Sequence, residues 1–298
     1  MLPGLILKDR YQVVGRLGTG SEGETFVAWD QVRRQKVAVK LQHSRVVEST
    51  AEYTDCGRYI MDEHDRLQAL LDIPGIPEVY DRGSYGRNGR KFLVMELIDG
   101  VNLDRWIRDH HPIPKDAAVA VVAQLCEILE DVHDQGYVHR DVTPRNTMLQ
   151  PDGRVRLLDV GIAVEPGKVK NDPRGTPGYG APEQLIDDSW VTPRTDVFAL
   201  GALLFRMVGR QLPYSGLEYP FEATAQPFPE GAPANVPESL RALGLAMVAI
   251  NPDERPAGAA EVLRRLRPML PQPGSPASPK ATRPDPTLPW RCAASSTR

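Results

Sequence analysis

The sequence predicts an α+β fold of two lobes, the first rich in strands and the second helical. Residues 11–41 alternate apolar and polar side chains between glycine-rich interruptions, which is the pattern of successive antiparallel strands. From Asp116 onwards apolar residues recur at helical spacing, and residues 196–208 are nearly all apolar, which predicts one amphipathic helix and one buried helix. Strands followed by helices favour two lobes with a ligand cleft between them.

Two further elements belong to the first lobe. Ile60, Leu67 and Leu70 recur at the spacing of one helical face, and Glu63 lies within the same stripe. Residues 91–97 are typical of another strand, and the Asp-Gly pair after them predicts a turn. We therefore expect one domain over residues 10–267, with its strand-rich lobe over about 10–97 and its helical lobe over about 101–267.

The chain after residue 267 has a different composition. Prolines recur there among Ser, Ala and Gly, with almost no apolar periodicity. This pattern predicts that residues 268–298 form a disordered or polyproline-like tail. Its Pro-x-x-Pro spacings could bind a partner with an aromatic-lined groove, but a solvated tail is the favoured interpretation.

Composition excludes several classes of partner and environment. The formal net charge of −3 gives no reason to expect nucleic acid or an anionic membrane as a partner. The first residues lack the pattern of a secretory signal, and the most apolar internal run, residues 197–204, is too short to span a bilayer. Cys56, Cys126 and Cys292 lie too far apart in the sequence to suggest a disulfide framework or a zinc site. We therefore expect a cytoplasmic protein.

A glycine-rich loop in the first lobe predicts a phosphate-binding hairpin. Residues 17–23 contain Gly-x-Gly-x-x-Gly, and the strand-like residues 25–29 follow them. The loop therefore joins two strands and does not open a helix, which disfavours a dinucleotide-binding fold. Glycine suits such a loop because a side chain would hold the backbone amides away from phosphate oxygens. Downstream, Lys40 ends a Val-Ala-Val-Lys run on an alternating strand.

Two short runs in the second lobe carry the chemistry. Residues 139–146 read His-Arg-Asp-Val-Thr-Pro-Arg-Asn, and Asp159-Val160-Gly161 follows them. Asp141, Asn146 and Asp159 thus provide two carboxylates and an amide at spacings that suit phosphoryl transfer from magnesium-bound ATP. With these runs the chain resembles the eukaryotic-type (Hanks-type) protein kinase family, and among its members the bacterial serine/threonine kinases.

Three later motifs extend the resemblance towards kinases that act on proteins. Residues 175–183 resemble the family's substrate-binding loop, which ends in Ala-Pro-Glu at Glu183. The resemblance implies that Asp196 holds the backbone of the catalytic loop and that Arg255 is the buried partner of Glu183. Small-molecule phosphotransferases of related fold usually lack the substrate-binding loop, so a small-molecule kinase is a distant third interpretation.

The resemblance implies a role for each site residue. Asp141 would be the catalytic carboxylate, supported by Thr176, and Asn146 and Asp159 would hold Mg²⁺ or Mn²⁺. Lys40 would contact the ATP phosphates and pair with Glu63, although Glu48 and Glu52 remain alternatives. The expected nucleotide contacts are Leu17, Gly18, Thr19, Gly20, Ser21, Glu22, Gly23, Glu24, Thr25, Ala38, Lys40, Glu96, Ile98 and Met148, with Met95 behind the adenine.

Several residues depart from the family pattern. Thr143 stands where serine/threonine kinases usually carry a lysine, and we expect Arg145 to supply the missing positive charge. Val160 replaces a phenylalanine, and Glu22 replaces a common aromatic residue at the loop tip. These departures support one alternative, a pseudokinase that keeps the fold as a scaffold. The favoured interpretation is an active kinase that phosphorylates Ser/Thr hydroxyls of proteins, including its own.

Residues 160–174, the first part of the activation segment, offer no acceptor for a regulatory phosphate. In the family, Arg140 normally senses such a phosphate. Residues 160–174 contain no Ser, Thr or Tyr, but they include Asp172 and Glu165. We therefore expect one of these carboxylates to replace the phosphate, so that ordering of the segment does not require phosphorylation.

Overall fold

Strands dominate the first part of the chain and helices the second, as the sequence predicts. The structure, a computed structural model, describes residues 4–44, 50–170, 172–215, 222, 224–228, 230, 231 and 236–292. The chain forms two units, one built from Met1–Asp72 and Ile76–Ile98 and the other from Ile73–Gly75 and Asp99–Arg298. In the parts of the chain that the structure describes, no helix has both the length and the apolar character needed to cross a membrane.

The N-terminal unit is built on one antiparallel sheet of six strands in the order β1-β2-β3-β4-β6-β5. The strands are β1 (Ile6–Leu7), β2 (Tyr11–Thr19), β3 (Gly23–Asp30), β4 (Gln35–Gln42), β5 (Val79–Tyr85) and β6 (Arg90–Glu96). The predicted strands within residues 11–41 and 91–97 are therefore confirmed. Their alternation buries one face of the sheet, where Tyr11, Phe26 and Phe92 belong to one apolar cluster.

A single long helix, α1 (Thr50–Ala69), packs against this sheet. Its stripe is buried as predicted, since Ile60, Glu63 and Leu67 are each no more than 1% exposed. A carboxylate in such a stripe is costly unless it is paired, so the position of Glu63 requires a cationic partner.

The C-terminal unit contains six helices within the described residues: α2 (Leu103–Asp109), α3 (Lys115–Asp134), α4 (Pro193–Val208), α5 (Glu238–Met247), α6 (Ala259–Leu266) and α7 (Leu288–Cys292). The two helices predicted from Asp116 and from residues 196–208 correspond to α3 and α4. Both are buried over most of their length because α3 packs against α4 and α6, and α4 also packs against α5. In α4, apolar residues around nearly the whole helix circumference are the sequence sign of such burial.

Short strands frame the loops that carry the chemistry. β7 (Val101–Asn102), β8 (Thr147–Leu149) and β9 (Val155–Leu157) form one antiparallel sheet, and β10 (Gly167–Val169) pairs with β11 (Ser189–Val191). The loop between α3 and β8 contains residues 139–146, and the chain after β9 contains Asp159. Buried helices and paired strands therefore hold both ends of the catalytic loop.

The C-terminal segment, residues 268–292, differs from the disordered tail that its composition predicts. Trp106 Nε1 in α2 donates to the carbonyl of Pro284 over 3.1 Å, and Gln124 Nε2 in α3 donates to the carbonyl of Pro286 over 3.0 Å. Proline lacks an N–H donor, but its carbonyl still accepts, so a proline-rich chain can dock without periodicity of its own. The expectation of disorder is thus corrected for residues 282–292, and residues 293–298 lie outside the described part.

Candidate active site

The glycine-rich loop is a tight hairpin between β2 and β3, as predicted. Gly20 N donates to Gly23 O over 2.8 Å, and Thr19 lies opposite Glu24 in the register of the two strands. A Cβ at Gly23 would lie 2.3 Å from Leu41 O, so close packing on β4 requires glycine there. A Cβ at Gly20 would have no neighbour nearer than 3.9 Å. Packing therefore does not require glycine at position 20. A glycine there is consistent with a loop whose backbone a phosphate approaches closely.

Lys40 projects from β4 between two carboxylates. Its Nζ lies 2.6 Å from Glu63 Oε2 in α1 and 2.9 Å from Glu22 Oε2 at the hairpin tip. The side chain of Glu63 is 1% exposed and that of Lys40 is 7% exposed, so water screens this cluster little. The structure therefore has the ion pair expected from Glu63. Glu48 and the side chain of Glu52 lie outside the described residues.

The expected adenine contacts of the N-terminal unit lie along β4 and β6. Ala38 pairs with Met95 across these strands, and Val37 pairs with Glu96. The backbone amide of Glu96 donates to Glu78 O over 2.8 Å, so this amide is not available to an adenine edge. Ile98 follows β6 in the chain and is half-buried.

In the C-terminal unit, Asp141 is held by two side chains. Its Oδ1 accepts from Thr176 Oγ1 over 2.6 Å, and its Oδ2 accepts from Asn146 Nδ2 over 2.6 Å. The pKa of Asp141 is raised, chiefly by burial and also by the charge of Asp159, while the two hydrogen bonds oppose the shift. The carboxylate is therefore fixed in direction and more basic than one in water.

Asn146 and Asp159 offer the oxygen ligands that magnesium prefers. Because Asn146 donates its amide nitrogen to Asp141, its side-chain oxygen is left to face a ligand. Asp159 Oδ1 accepts from the Gly161 amide over 3.0 Å, and Asp159 itself has a φ of 58°. A non-glycine residue in this left-handed region costs energy that the surroundings must offset, which is typical of functional sites. The donor set therefore fits a hard divalent cation.

Thr143 has a structural role in the catalytic loop. It is buried, its Oγ1 accepts from Asn146 N over 3.3 Å, and its carbonyl accepts from Thr147 Oγ1 over 2.8 Å. The hydroxyl thus shapes the turn that presents Asn146. Arg145 is exposed, and its carbonyl accepts from Asn102 Nδ2 over 2.7 Å.

Asp196 binds the backbone of the catalytic loop. Its carboxylate accepts from the amides of His139 and Arg140 over 2.9 and 2.8 Å, as predicted. His133 Nε2 in α3 also lies 2.8 Å from Asp196 Oδ2, a partner that the sequence did not suggest. Burial acts to raise the pKa of Asp196, but the His133 hydrogen bond and nearby charges lower it overall. The carboxylate is therefore held ionised inside the unit.

Arg140 connects the catalytic loop to the activation segment. Its Nη1 donates to Asp172 Oδ2 over 2.9 Å, and its Nη2 donates to the Asp172 carbonyl over 2.7 Å. Arg174 Nε lies 2.6 Å from Asp172 Oδ1 on the other side of the carboxylate. Of the two carboxylates expected to replace a phosphate, Asp172 therefore makes the contact, while Glu165 is exposed.

Gln184 is a buried residue beside the site that sequence reasoning missed. It is 2% exposed, and its Nε2 donates to the carbonyls of Arg140 over 2.8 Å and Arg174 over 2.7 Å. Its neighbour Glu183 binds Arg255 through two hydrogen bonds of 2.7 and 2.9 Å, which confirms the predicted buried pair. Only the position of Gln184 beside Glu183 could have drawn attention to it.

The structure distributes the predicted site residues over the two units. The N-terminal unit contains Leu17, Gly18, Thr19, Gly20, Ser21, Glu22, Gly23, Glu24, Thr25, Ala38, Lys40, Glu63, Glu96 and Ile98. The C-terminal unit contains Asp141, Arg145, Asn146, Met148, Asp159 and Thr176. Within each unit the central groups meet, as Lys40 meets Glu63 and Asp141 meets Asn146 and Thr176.

The fold and the two groups of residues define a protein kinase domain. The family model for the protein kinase domain matches residues 11–265, and the chain belongs to this family.

Curated relatives come from several bacteria. The chain is similar to the DNA damage-responsive serine/threonine-protein kinase RqkA of Deinococcus radiodurans, at 31% identity over 87% of this chain and 39% of the relative. It is also similar to the serine/threonine-protein kinase PknB of Mycolicibacterium smegmatis, at 32% identity over 86% of this chain and 42% of the relative. The serine/threonine-protein kinase PknL of Mycobacterium tuberculosis is 31% identical over 87% of this chain and 65% of the relative. The chain thus spans less than half the length of the first two relatives.

Proposed function

We propose that this chain is an active serine/threonine protein kinase domain that transfers the γ-phosphoryl group of ATP to hydroxyls of protein substrates. The observation that carries the proposal is the placement of Asp141, whose two carboxylate oxygens are hydrogen-bonded to Asn146 and Thr176. This arrangement aims a half-buried carboxylate in a defined direction, as general base catalysis requires. The kinase names of the relatives and the presence of every catalytic group give no support to the pseudokinase alternative.

The N-terminal unit would bind the nucleotide. Backbone amides of the hairpin over residues 17–23 would contact the phosphates, and Lys40 would neutralise them while Glu63 fixes its direction. Ala38 and the backbone of Glu96 and Ile98 would bind the adenine, and Met148 of the C-terminal unit would contribute an apolar contact. The ion pair between Lys40 and Glu63 supports this role.

The C-terminal unit would carry out the transfer. Asp141 would orient the acceptor hydroxyl and accept its proton, helped by the raised pKa of its carboxyl group. Asn146 and Asp159 would hold Mg²⁺ or Mn²⁺, which neutralises charge on the phosphates when bound. Arg145 would supply the positive charge that Thr143 lacks. Its exposure within the catalytic loop supports this role. Thr176 would keep Asp141 in place.

The substrate class follows from the segment after the metal ligand. The Arg255–Glu183 pair and Gln184 fix residues 175–183 in a defined conformation, which supports a role in binding polypeptide substrates. We propose Ser and Thr as the acceptors, including hydroxyls of the chain itself, and the cytoplasm, where ATP is available, as its location. No nucleic acid partner is proposed, and the docked C-terminal segment leaves less proline-rich chain for a partner to bind.

Labelled phosphate transfer tests the proposal. The full chain is incubated with γ-labelled ATP, Mg²⁺ and a generic protein substrate, beside Asp159→Asn, which keeps the side-chain size but removes a metal-binding carboxylate. We expect label on Ser and Thr for the native chain only, and label mapping identifies the acceptors. If the native chain transferred no label with either Mg²⁺ or Mn²⁺, the proposal would be wrong.

A further inference from the structure

A groove of about 1010 Å³ lies beside the catalytic loop within the C-terminal unit. Its lining includes Arg145 of the catalytic loop and both Thr176 and Tyr179 of the substrate-binding loop. Because Thr176 donates to Asp141, this groove adjoins the carboxylate proposed to bind the acceptor hydroxyl. A polypeptide whose hydroxyl reaches Asp141 therefore places its neighbouring side chains in this groove.

Three arginines line the groove: Arg145, Arg206 and Arg210. Arg206 lies in the last turn of α4, and Arg210 follows that helix. Among the described residues, none of the three forms an ion pair with a carboxylate, whereas most other arginines of the unit, such as Arg140 and Arg255, do. Cations that the protein does not neutralise itself are available to an anionic ligand.

The groove is lined by fewer carboxylates than arginines, and one of these carboxylates is paired with an arginine outside the groove. Asp104 and Glu230 are the two carboxylates of the lining. Asp104 forms an ion pair with Arg108 one turn along α2, and Arg108 does not line the groove. The groove therefore has an excess of positive charge, although the chain as a whole has a formal net charge of −3.

The pKa values of Tyr179 and His111 are affected by the same positive charges. Burial, with a smaller effect of the Asp104 charge, raises the pKa of Tyr179 to about 12, and the charges of Arg206 and Arg145 act against this shift. The pKa of His111 is lowered by burial and by the charges of Arg210 and Arg206. The Nδ1 atom of His111 is buried without a hydrogen-bond partner in the described structure. The three guanidinium groups thus act on one concave surface, where such a potential is focused.

We propose that this groove selects protein substrates that carry an anionic side chain, a carboxylate or a phosphate, close to the acceptor hydroxyl. The inference rests on the proposed kinase function and names its substrate class. Arg206 and Arg210 are the specificity-determining residues, because a guanidinium can bind either anion through two parallel hydrogen bonds. A basic side chain at the same place meets like charges and is rejected.

A peptide set tests this preference on the full chain. Each peptide has one acceptor Ser. One position, within three residues on either side of that Ser, is varied among Ala, Glu, phosphoserine and Lys. We expect kcat/KM to exceed the alanine value by about tenfold for Glu or phosphoserine at one or more positions, and to fall below it for Lys. The Glu and phosphoserine peptides distinguish the two sources of negative charge.

Charge reversal identifies the residues responsible. In Arg206→Glu, and separately in Arg210→Glu, we expect the ratio of kcat/KM for the Glu and Lys peptides to fall by about tenfold or more. Two variants are used in case one does not fold, and a thermal melt of each checks folding. Arg264→Glu is the matched control, since Arg264 is exposed on α6 and does not line the groove. Its ratio is expected to equal that of the native chain.

The outcomes separate this inference from the proposed function. Phosphorylation of all peptides at equal rates, or a ratio that folded Arg206 and Arg210 variants leave unchanged, would overturn the substrate class alone. Phosphorylation of no peptide or protein would overturn the kinase function, and the substrate class with it.

Discussion

At the scale of single residues, the ammonium of Lys40 is shared by two carboxylates. Glu63 approaches it from α1 and Glu22 from the tip of the hairpin, at 2.6 and 2.9 Å. The side chain of Glu22 is 11% exposed, so its charge is turned inwards and not into solvent. Phosphates that reach Lys40 must therefore displace or tolerate Glu22. If Lys40 contacts ATP as proposed, the hairpin tip would compete with the nucleotide for the same cation.

We predict that Glu22→Gln strengthens nucleotide binding. The amide has nearly the same size but no negative charge, so it removes competition for Lys40 and repulsion of the triphosphate. An increase of about three- to tenfold in affinity for Mg-ATP corresponds to about 1 kcal/mol, the upper range for an ion pair near the surface. Titration with ATP, followed by thermal shift or by the KM for ATP, measures the change.

Glu24→Gln is the matched control for this prediction. Glu24 lies in the same hairpin, but its carboxylate pairs with Arg16 at 3.2 Å. We expect a smaller change in ATP affinity than in Glu22→Gln. Equal effects of the two substitutions, or weaker binding by Glu22→Gln, would show that Glu22 does not compete with ATP at Lys40.

Residue spacing predicted part of this cluster. The helical stripe pointed to Glu63, but its spacing from Lys40 is a few residues longer than is usual in the family, which left Glu48 and Glu52 as alternatives. Spacing alone does not define how a helix is rotated against a sheet. For Glu22, the sequence showed only that a carboxylate replaces a common aromatic residue at the loop tip. Its inward turn depends on the backbone of the hairpin, where His43 N donates to the Glu22 carbonyl over 3.3 Å. Such a tertiary contact leaves no pattern in the local sequence.

At the scale of elements, the activation segment is held by charges that the chain itself provides. Arg140 binds both the carboxylate and the carbonyl of Asp172, and Arg174 binds the same carboxylate from the other side. Gln184 then links the carbonyls of Arg140 and Arg174. The segment thus carries a fixed carboxylate where a kinase of this family can use a phosphate.

We predict that Asp172→Ala lowers phosphotransfer activity. The side chain of Arg140 is fully buried, so loss of its carboxylate partner leaves a cation without its counter-charge. Loss of a charged hydrogen bond costs about 1–3 kcal/mol, and we expect activity to fall by about tenfold or more. Initial rates with a protein substrate, alongside the intact mass of each protein, measure the effect.

Glu165→Ala is the control within the same segment. Glu165 is exposed and forms no ion pair within the described structure, so we expect little change in rate. Phosphatase treatment of the native chain should also leave its activity intact. Stoichiometric phosphate on Thr176 in the active protein would contradict this account, since Thr176 must donate its hydroxyl hydrogen to Asp141.

Sequence patterns predicted the elements of the site better than the links between them. Strand alternation and loop composition predicted the hairpin correctly, and the family resemblance implied the Glu183–Arg255 pair. His133 and Gln184 were missed because a lone His or Gln in a helix or turn carries no periodic signal. Both bind groups distant in sequence, and only the folded chain brings them together.

At the scale of the whole molecule, the C-terminal segment belongs to the folded C-terminal unit. Thr287 Oγ1 and Arg291 both bind Asp285, which closes a compact turn over residues 285–291. The Asp285 carbonyl lies so near Gly153, in the turn between β8 and β9, that a Cβ there would lie 2.1 Å from it. Composition predicted disorder because a proline-rich segment without apolar periodicity cannot form a core of its own. This segment instead packs on the surface of the C-terminal unit.

We predict that Gly153→Ala destabilises the protein more than Gly136→Ala. The two glycines have nearly equal φ angles of 82° and 80°, so both substitutions strain the backbone by about 1–2 kcal/mol. An alanine at Gly136 has no neighbour within 4 Å, whereas one at Gly153 collides with Asp285. That collision should add about 1–3 kcal/mol, as overpacking does.

Thermal or urea unfolding of the two full-length variants provides the comparison. A larger loss of unfolding free energy for Gly153→Ala would support a docked C-terminal segment. Equal losses would mean that residues 285–291 do not rest on this turn in solution.

The proposed kinase function depends on Asp141 acting as the catalytic carboxylate. The most direct measurement is the rate of γ-phosphoryl transfer to a protein substrate at saturating Mg-ATP, for the native chain and for Asp141→Asn. We predict a fall of about 10²–10⁴-fold in kcat, the usual contribution of a general base, with ATP binding nearly unchanged. Equal rates in the two proteins would contradict the account, because phosphotransfer would then not depend on the carboxylate that Asn146 and Thr176 hold in place.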